Sequence, residues 1–127
     1  MGTNSKALVV DDSAAARYMI GRIIKDIGYE VVEAGNGKEA IEVLNGNPGV
    51  TLALVDWNMP VMNGLELVTE IRKDQKLNEM KIMMVTTETE MMQVVRAIEA
   101  GANEYVMKPF TRDVVLDKMR IMGIELP

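Results

Sequence analysis

Ala7-Leu8-Val9-Val10-Asp11-Asp12 is an apolar run that stops on two neighbouring carboxylates. The arrangement recurs along the chain. Leu52-Ala53-Leu54-Val55 ends in Asp56, Ile82-Met83-Met84-Val85 ends in Thr86, and Tyr105-Val106-Met107 ends in Lys108-Pro109. Runs this short, rich in Val, Leu, Ile and Met and without polar alternation, read as strands buried on both faces, the pattern of a parallel sheet covered by helices. Parallel strands point their carboxyl ends the same way, and right-handed crossovers put every strand-to-helix turn at that edge. Three acids, a hydroxyl and an ammonium group are therefore expected on one rim, around a pocket suited to a divalent cation and a phosphoryl group.

Between the runs lie segments with helical spacing. Ser13 is placed to cap a helix through Ala14, Ala15, Ala16, Met19, Ile20, Ile23, Ile24 and Ile27, which Gly28 stops. Glu30-Val31-Val32-Glu33-Ala34 reads as a second strand. Asn36-Gly37 turns into a helix from Lys38 to Leu44, closed by Asn45-Gly46-Asn47-Pro48-Gly49. A third strand follows at Leu52. Met62-Asn63-Gly64 leads into Leu65, Leu67, Val68 and Ile71; Met91, Val94, Val95 and Ile98 repeat the spacing up to Gly101; Val114, Val115, Met119 and Met122 make a last helix. The expectation is five strands alternating with five helices in one α/β domain over residues 1–127, with no linker and no internal repeat.

Composition removes several classes of function. A chain of 127 residues with 48% apolar and 26% charged residues has the balance of an ordered single domain. A net charge of -5 and the lack of a basic run argue against nucleic acid, whose backbone is bound by Lys and Arg. No apolar stretch reaches the ~18 residues that suggest a bilayer span. Met1-Gly2-Thr3-Asn4-Ser5-Lys6 lacks the apolar segment of a secretory signal, so no membrane insertion and a cytoplasmic location are expected. With no Cys and no His, thiol chemistry, imidazole acid–base chemistry and the commonest transition-metal ligands are absent.

Val9-Val10-Asp11-Asp12-Ser13, Asp56-Trp57-Asn58-Met59-Pro60 with Gly64, Val85-Thr86 and Lys108-Pro109-Phe110 resemble the receiver domains of two-component response regulators over almost the whole chain. The nearest pattern in that family is the stand-alone chemotaxis receiver. The resemblance implies a flavodoxin-like, doubly wound (βα)5 fold with strand order 2-1-3-4-5. It implies Asp56 as the acceptor of a phosphoryl group from a histidine kinase. It also implies a Mg2+ site made by Asp12 and Asp56 directly, Asp11 through water and the backbone carbonyl of Asn58. Lys108 would pair with Asp56 or the phosphoryl oxygens, and Thr86 would donate its hydroxyl to another. Tyr105 would turn inward with Thr86, and Val94, Tyr105, Met107 and Lys118 would line the partner-binding face. Asn58 and Glu88 would flank the hydrolytic water and shorten the phosphoryl lifetime.

The implied role is a regulator and not an enzyme, limited to self-phosphorylation from small donors and autodephosphorylation, with no output domain of its own. Its signal would leave by altered binding to a flagellar motor switch, to a phosphotransfer protein of a phosphorelay, or to another target, with a phosphatase as a further partner. Two features depart from the chemotaxis pattern. Met91-Met92 stands where Lys is expected, and Thr87 is larger than the residue that usually follows the switch Thr. A phosphatase with an aspartyl nucleophile uses the same type of sheet, but needs a general acid two residues on. That position is Asn58, which has no proton to give a leaving group. A flavodoxin-type cofactor binder would need a phosphate-binding loop after the first strand, where Asp11-Asp12 repels phosphate instead.

Overall fold

The computed structural model describes residues 5–59, 61–87 and 92–124. Five parallel strands, β1 (Lys6–Val10), β2 (Glu30–Ala34), β3 (Val50–Asp56), β4 (Lys81–Thr86) and β5 (Glu104–Met107), form one sheet in the order β2-β1-β3-β4-β5. The helices are α1 (Ala14–Ile27), α2 (Gly37–Gly46), α3 (Gly64–Lys73), α4 (Val94–Ala100) and α5 (Arg112–Ile121). The doubly wound α/β fold and its strand order are those the sequence implied.

Alternation along each strand sorts the side chains into two cores. Leu8, Val10, Ala53, Val55, Ile82 and Met84 face α2, α3 and α4, joined by Ala40, Leu44, Leu67, Val68, Ile71 and Ala97. Ala7, Val9, Leu52, Leu54, Met83, Val85 and Val106 face α1 and α5, joined by Ile20, Ile24, Val115 and Met119. Burial on both faces is why the stretches 7–10, 52–55 and 82–85 carry no polar residue.

Local chemistry accounts for the helix starts. The side chains of Ser13, Asn36, Asn63 and Thr111 each accept a backbone N–H of the first turn they cap, from Ala16, Glu39, Glu66 and Val114. Asn63 and Glu66 complete a reciprocal capping box. Gly28 and Gly101, at φ 123 and 124, end α1 and α4.

Three features depart from the sequence expectations. A 3-10 turn over Gln75–Leu77 precedes β4 and was not anticipated. Helix α4 buries only Val94 and Ala97, so Val95 and Ile98, read as part of an apolar face, are 65% and 42% exposed. Each lies one residue past a buried position, about 100° further round the helix. Met19, also read as an apolar helix position, is 67% exposed. Met91 lies outside the described residues.

Arg72 ties the end of α3 to the elements that follow. Its guanidinium donates to the carbonyls of Gly101, Leu77 and Met80 at 2.9, 3.1 and 2.8 Å and to Asn103 Oδ1 at 2.9 Å. Asn103 Oδ1 also accepts the Ile82 N–H at 2.8 Å. A Cβ on Gly101 would sit 2.5 Å from Arg72 Cγ, so glycine is required there on space as well as on φ.

Val61 has φ 69 and is 78% exposed in the loop after β3. A β-branched residue pays for this left-handed conformation, and exposure leaves little packing to repay it. Val61→Asn is expected to stabilise the chain by about 1 kcal/mol and to raise Tm by roughly 4 °C. A calorimetric scan showing no rise would mean that the loop relaxes at no cost.

Candidate functional site

The carboxyl ends of β1, β3, β4 and β5 bring the predicted rim residues together. Asp56 is the last residue of β3, Thr86 the last of β4, Asp11 the first after β1 and Lys108 the first after β5. Asp11, Asp56 and Thr86 are 1%, 7% and 1% exposed, whereas Asp12 and Asn58 lie at the surface. Backbone bonds hold the rim in register: Trp57 N–H donates to Val85 O at 3.1 Å, and Lys108 N–H to Thr86 O at 2.7 Å. The Lys108–Pro109 peptide is cis.

Asp11, Asp12 and Asp56 each place a carboxylate oxygen within 4.8 Å of the others. Lys108 Nζ bonds Asp11 Oδ2 at 2.9 Å and reaches Asp56 Oδ1 at 3.4 Å, so its shorter contact is to Asp11. Burial works against the ammonium charge. Hydrogen bonding to Asp11 and the charges of Asp56 and Asp11 outweigh it, and the Lys108 pKa is raised above the usual lysine value. One cation beside three acids leaves net negative charge in a partly dry site. An all-oxygen donor set with no imidazole or thiolate suits a hard divalent ion of the Mg2+ type.

Gly64 lets this rim close up. Its N–H donates to Trp57 O at 3.0 Å, and a Cβ there would stand 2.7 Å from the carbonyl oxygen of Asp56 and 2.9 Å from Met84 Cε. Next to Lys108, an open apolar groove of about 380 Å³ is lined by Ala16, Met19, Ile20, Ile23, Pro109 and Phe110.

Of the residues expected on the partner face, Met107 ends β5 beside the rim, and not all of them are exposed. Tyr105 is half-buried on β5 with Lys118 Nζ 4.2 Å from its ring centroid, and Lys118 also reaches Glu104 at 3.5 Å. Met107 is 38% exposed, but Val94 is buried at 9%. Val95 and Ile98 are the apolar side chains that α4 presents to solvent. Met92, by contrast, is 87% exposed, as a surface methionine would be. Glu88 lies outside the described residues.

One residue of the rim was passed over in the sequence. Arg17 donates from Nη1 to the carbonyl oxygen of Asp11 at 2.7 Å and from Nε to Glu33 Oε1 at 3.1 Å. Its signal is faint: a lone Arg one turn into a helix that starts beside Asp11-Asp12.

This fold with this rim defines a class, and the family comparison agrees: the chain belongs to the response regulator receiver domain family, whose model matches residues 7–120. Such domains are generally regulators and not enzymes. The relatives are more specific. Chemotaxis protein CheY1 of Helicobacter pylori is 44% identical over 92% of this chain and 95% of its own length, and the CheY homologue of Campylobacter jejuni is 45% identical over 90% and 88%. The solved chemotaxis response regulator CheY4 of Vibrio cholerae superposes with a TM-score of 0.85 at 33% identity, covering 94% of this chain and 99% of that one. The chain is therefore a receiver homologous to the CheY chemotaxis regulators, a phosphorylation-activated class. Among the described residues, no helix is long and apolar enough to cross a membrane.

Proposed function

We propose that the chain is a cytoplasmic chemotaxis regulator that takes a phosphoryl group from a histidine kinase onto Asp56 and signals by changing its affinity for a protein target such as a flagellar switch. The observation that carries this is Asp56 itself: a carboxylate 7% exposed at the end of β3, with the Asp11 and Asp12 carboxylates within 4.8 Å and Lys108 Nζ at 3.4 Å. An Asp56 oxygen forms a bond to phosphorus as the phosphorus–nitrogen bond of a phosphohistidine breaks and its electron pair leaves with the imidazole. Lys108 sits where it can shift from Asp56 to a phosphoryl oxygen. The Thr86 hydroxyl, at the next strand end, can donate to a second one.

Asp11, Asp12 and Asp56 would hold Mg2+, with the carbonyl of Asn58 as a further oxygen ligand. The ion supplies positive charge against the incoming phosphoryl oxygens. The apolar groove beside Lys108 gives a donor protein a surface close to Asp56. Asn58, exposed next to the rim, and Glu88 are assigned to the lifetime of the acyl phosphate, which hydrolyses with return of the Asp56 carboxylate. The output face combines Tyr105, Met107 and Lys118 with the exposed Val95 and Ile98, and replaces the buried Val94. A phosphotransfer protein or a phosphatase would use the same rim.

Incubation with acetyl phosphate followed by intact mass spectrometry tests the acceptor chemistry. One phosphoryl group per chain is expected in millimolar Mg2+ and none in EDTA, accompanied by a change in Trp57 fluorescence. Equal labelling with and without the ion would remove Mg2+ from the reading.

A further inference from the structure

We infer that Arg17 is a positioning residue for the cation site, an inference that rests on the assignment of Asp11, Asp12 and Asp56 as its ligands. Asp11 is bonded at every polar group. Its N–H donates to Ala34 O at 3.2 Å, Oδ1 accepts the Ser13 N–H at 2.9 Å, Oδ2 takes Lys108 Nζ at 2.9 Å, and its carbonyl oxygen takes Arg17 Nη1 at 2.7 Å. The last bond falls on the peptide that joins Asp11 to Asp12. That peptide is planar, so holding its oxygen also fixes the direction in which the chain enters Asp12.

The helix does not supply this constraint. Its first backbone bond is made by the carbonyl of Ser13, which accepts the Arg17 N–H at 3.0 Å. The guanidinium is in turn held from the neighbouring strand, by Glu33 Oε1 at 3.1 Å, and its side chain is only 21% exposed. The planar fork reaches the two partners from separate nitrogens, Nη1 and Nε, whereas an ammonium group would have to reach both from a single atom.

Charge alone would act the other way. A cation close to an acidic site repels Mg2+, so deleting it should tighten binding if Arg17 were nothing more than a charge. Positioning predicts the opposite sign. Titrating Mg2+ against Trp57 fluorescence is expected to show affinity about 10-fold weaker in Arg17→Ala, in line with losses at residues that orient metal ligands. Arg17→Lys, which keeps the charge and loses the fork, is expected to weaken it by a smaller factor and covers the case in which the alanine variant does not fold. Urea midpoints in EDTA separate lost affinity from lost fold. Unchanged or tighter binding in folded Arg17→Ala, or wild-type affinity in Arg17→Lys with the alanine variant unfolded, overturns the inference and leaves the site assignment standing. A wild-type chain that does not respond to Mg2+ overturns both.

Discussion

Asp56→Asn is expected to abolish the phosphoryl adduct while leaving the fold intact. The amide has the shape of the carboxylate but not its nucleophilicity, so no bond to phosphorus forms however well the donor is placed. The change also removes one negative charge from a site where three carboxylates lie within 4.8 Å of one another, so the metal-free variant should melt no lower than the wild-type chain. Intact mass after acetyl phosphate and Mg2+ reads the first effect and calorimetry the second. An adduct persisting in Asp56→Asn would put the acceptor on Asp11, Asp12 or Thr86 and end the assignment. An adduct lost together with the fold would say only that the substitution is disruptive, which is why the melt is measured on the same sample.

What the sequence made legible is what depends on neighbours along the chain. Ser13 and Gly28 bound α1 at both ends because a cap and a stop act within one turn. The burial of β1, β3 and β4 could be read because a strand covered on both faces has no room for polar alternation. The rim could be read for the same reason: topology alone carries every strand end to one edge, so Asp11, Asp56, Thr86 and Lys108 meet without any knowledge of their side-chain geometry.

Contacts between distant positions were not legible. Nothing near Arg72 in sequence marks Gly101 and Asn103 as its partners, and nothing near Arg17 marks Glu33. Helical period alone could not say which side of α4 faces water, since Val94, Val95, Ala97 and Ile98 are all apolar and only packing on the sheet separates them. Nor could it show that Val61 holds a left-handed conformation, which the residue type disfavours. The two arginines share a cause: each satisfies backbone carbonyls left over where a helix or turn meets the sheet, and such leftover acceptors exist only once the fold is assembled.

Lys108→Met is expected to destabilise the metal-free chain by about 3 kcal/mol at low salt, because it takes the neighbouring cation away from two buried carboxylates. The side chains of Asp11 and Asp56 are 2% and 9% exposed, so water does little to replace the lost partner. Removing the exposed acid instead, in Asp12→Asn, should raise stability without metal, since it lowers the repulsion and leaves Lys108 in place. Millimolar Mg2+ should then recover most of the Lys108→Met loss and stabilise Asp12→Asn far less than the wild-type chain, one ligand being gone. The pH dependence has a defined sign. The folded-state pKa of Lys108 is raised above 10.5, so its contribution is complete below the ordinary lysine value and is lost as pH climbs through the higher folded one. The difference between wild-type and Lys108→Met stability is therefore expected to stay flat from neutral pH to about 10 and to shrink only above it. Urea unfolding in EDTA and in Mg2+ across that range measures all of these quantities. Equal stability of Lys108→Met and the wild-type chain without metal would mean that the acids at the strand ends do not need the lysine, and the electrostatic account of an ion-dependent phosphoryl site would fail with it.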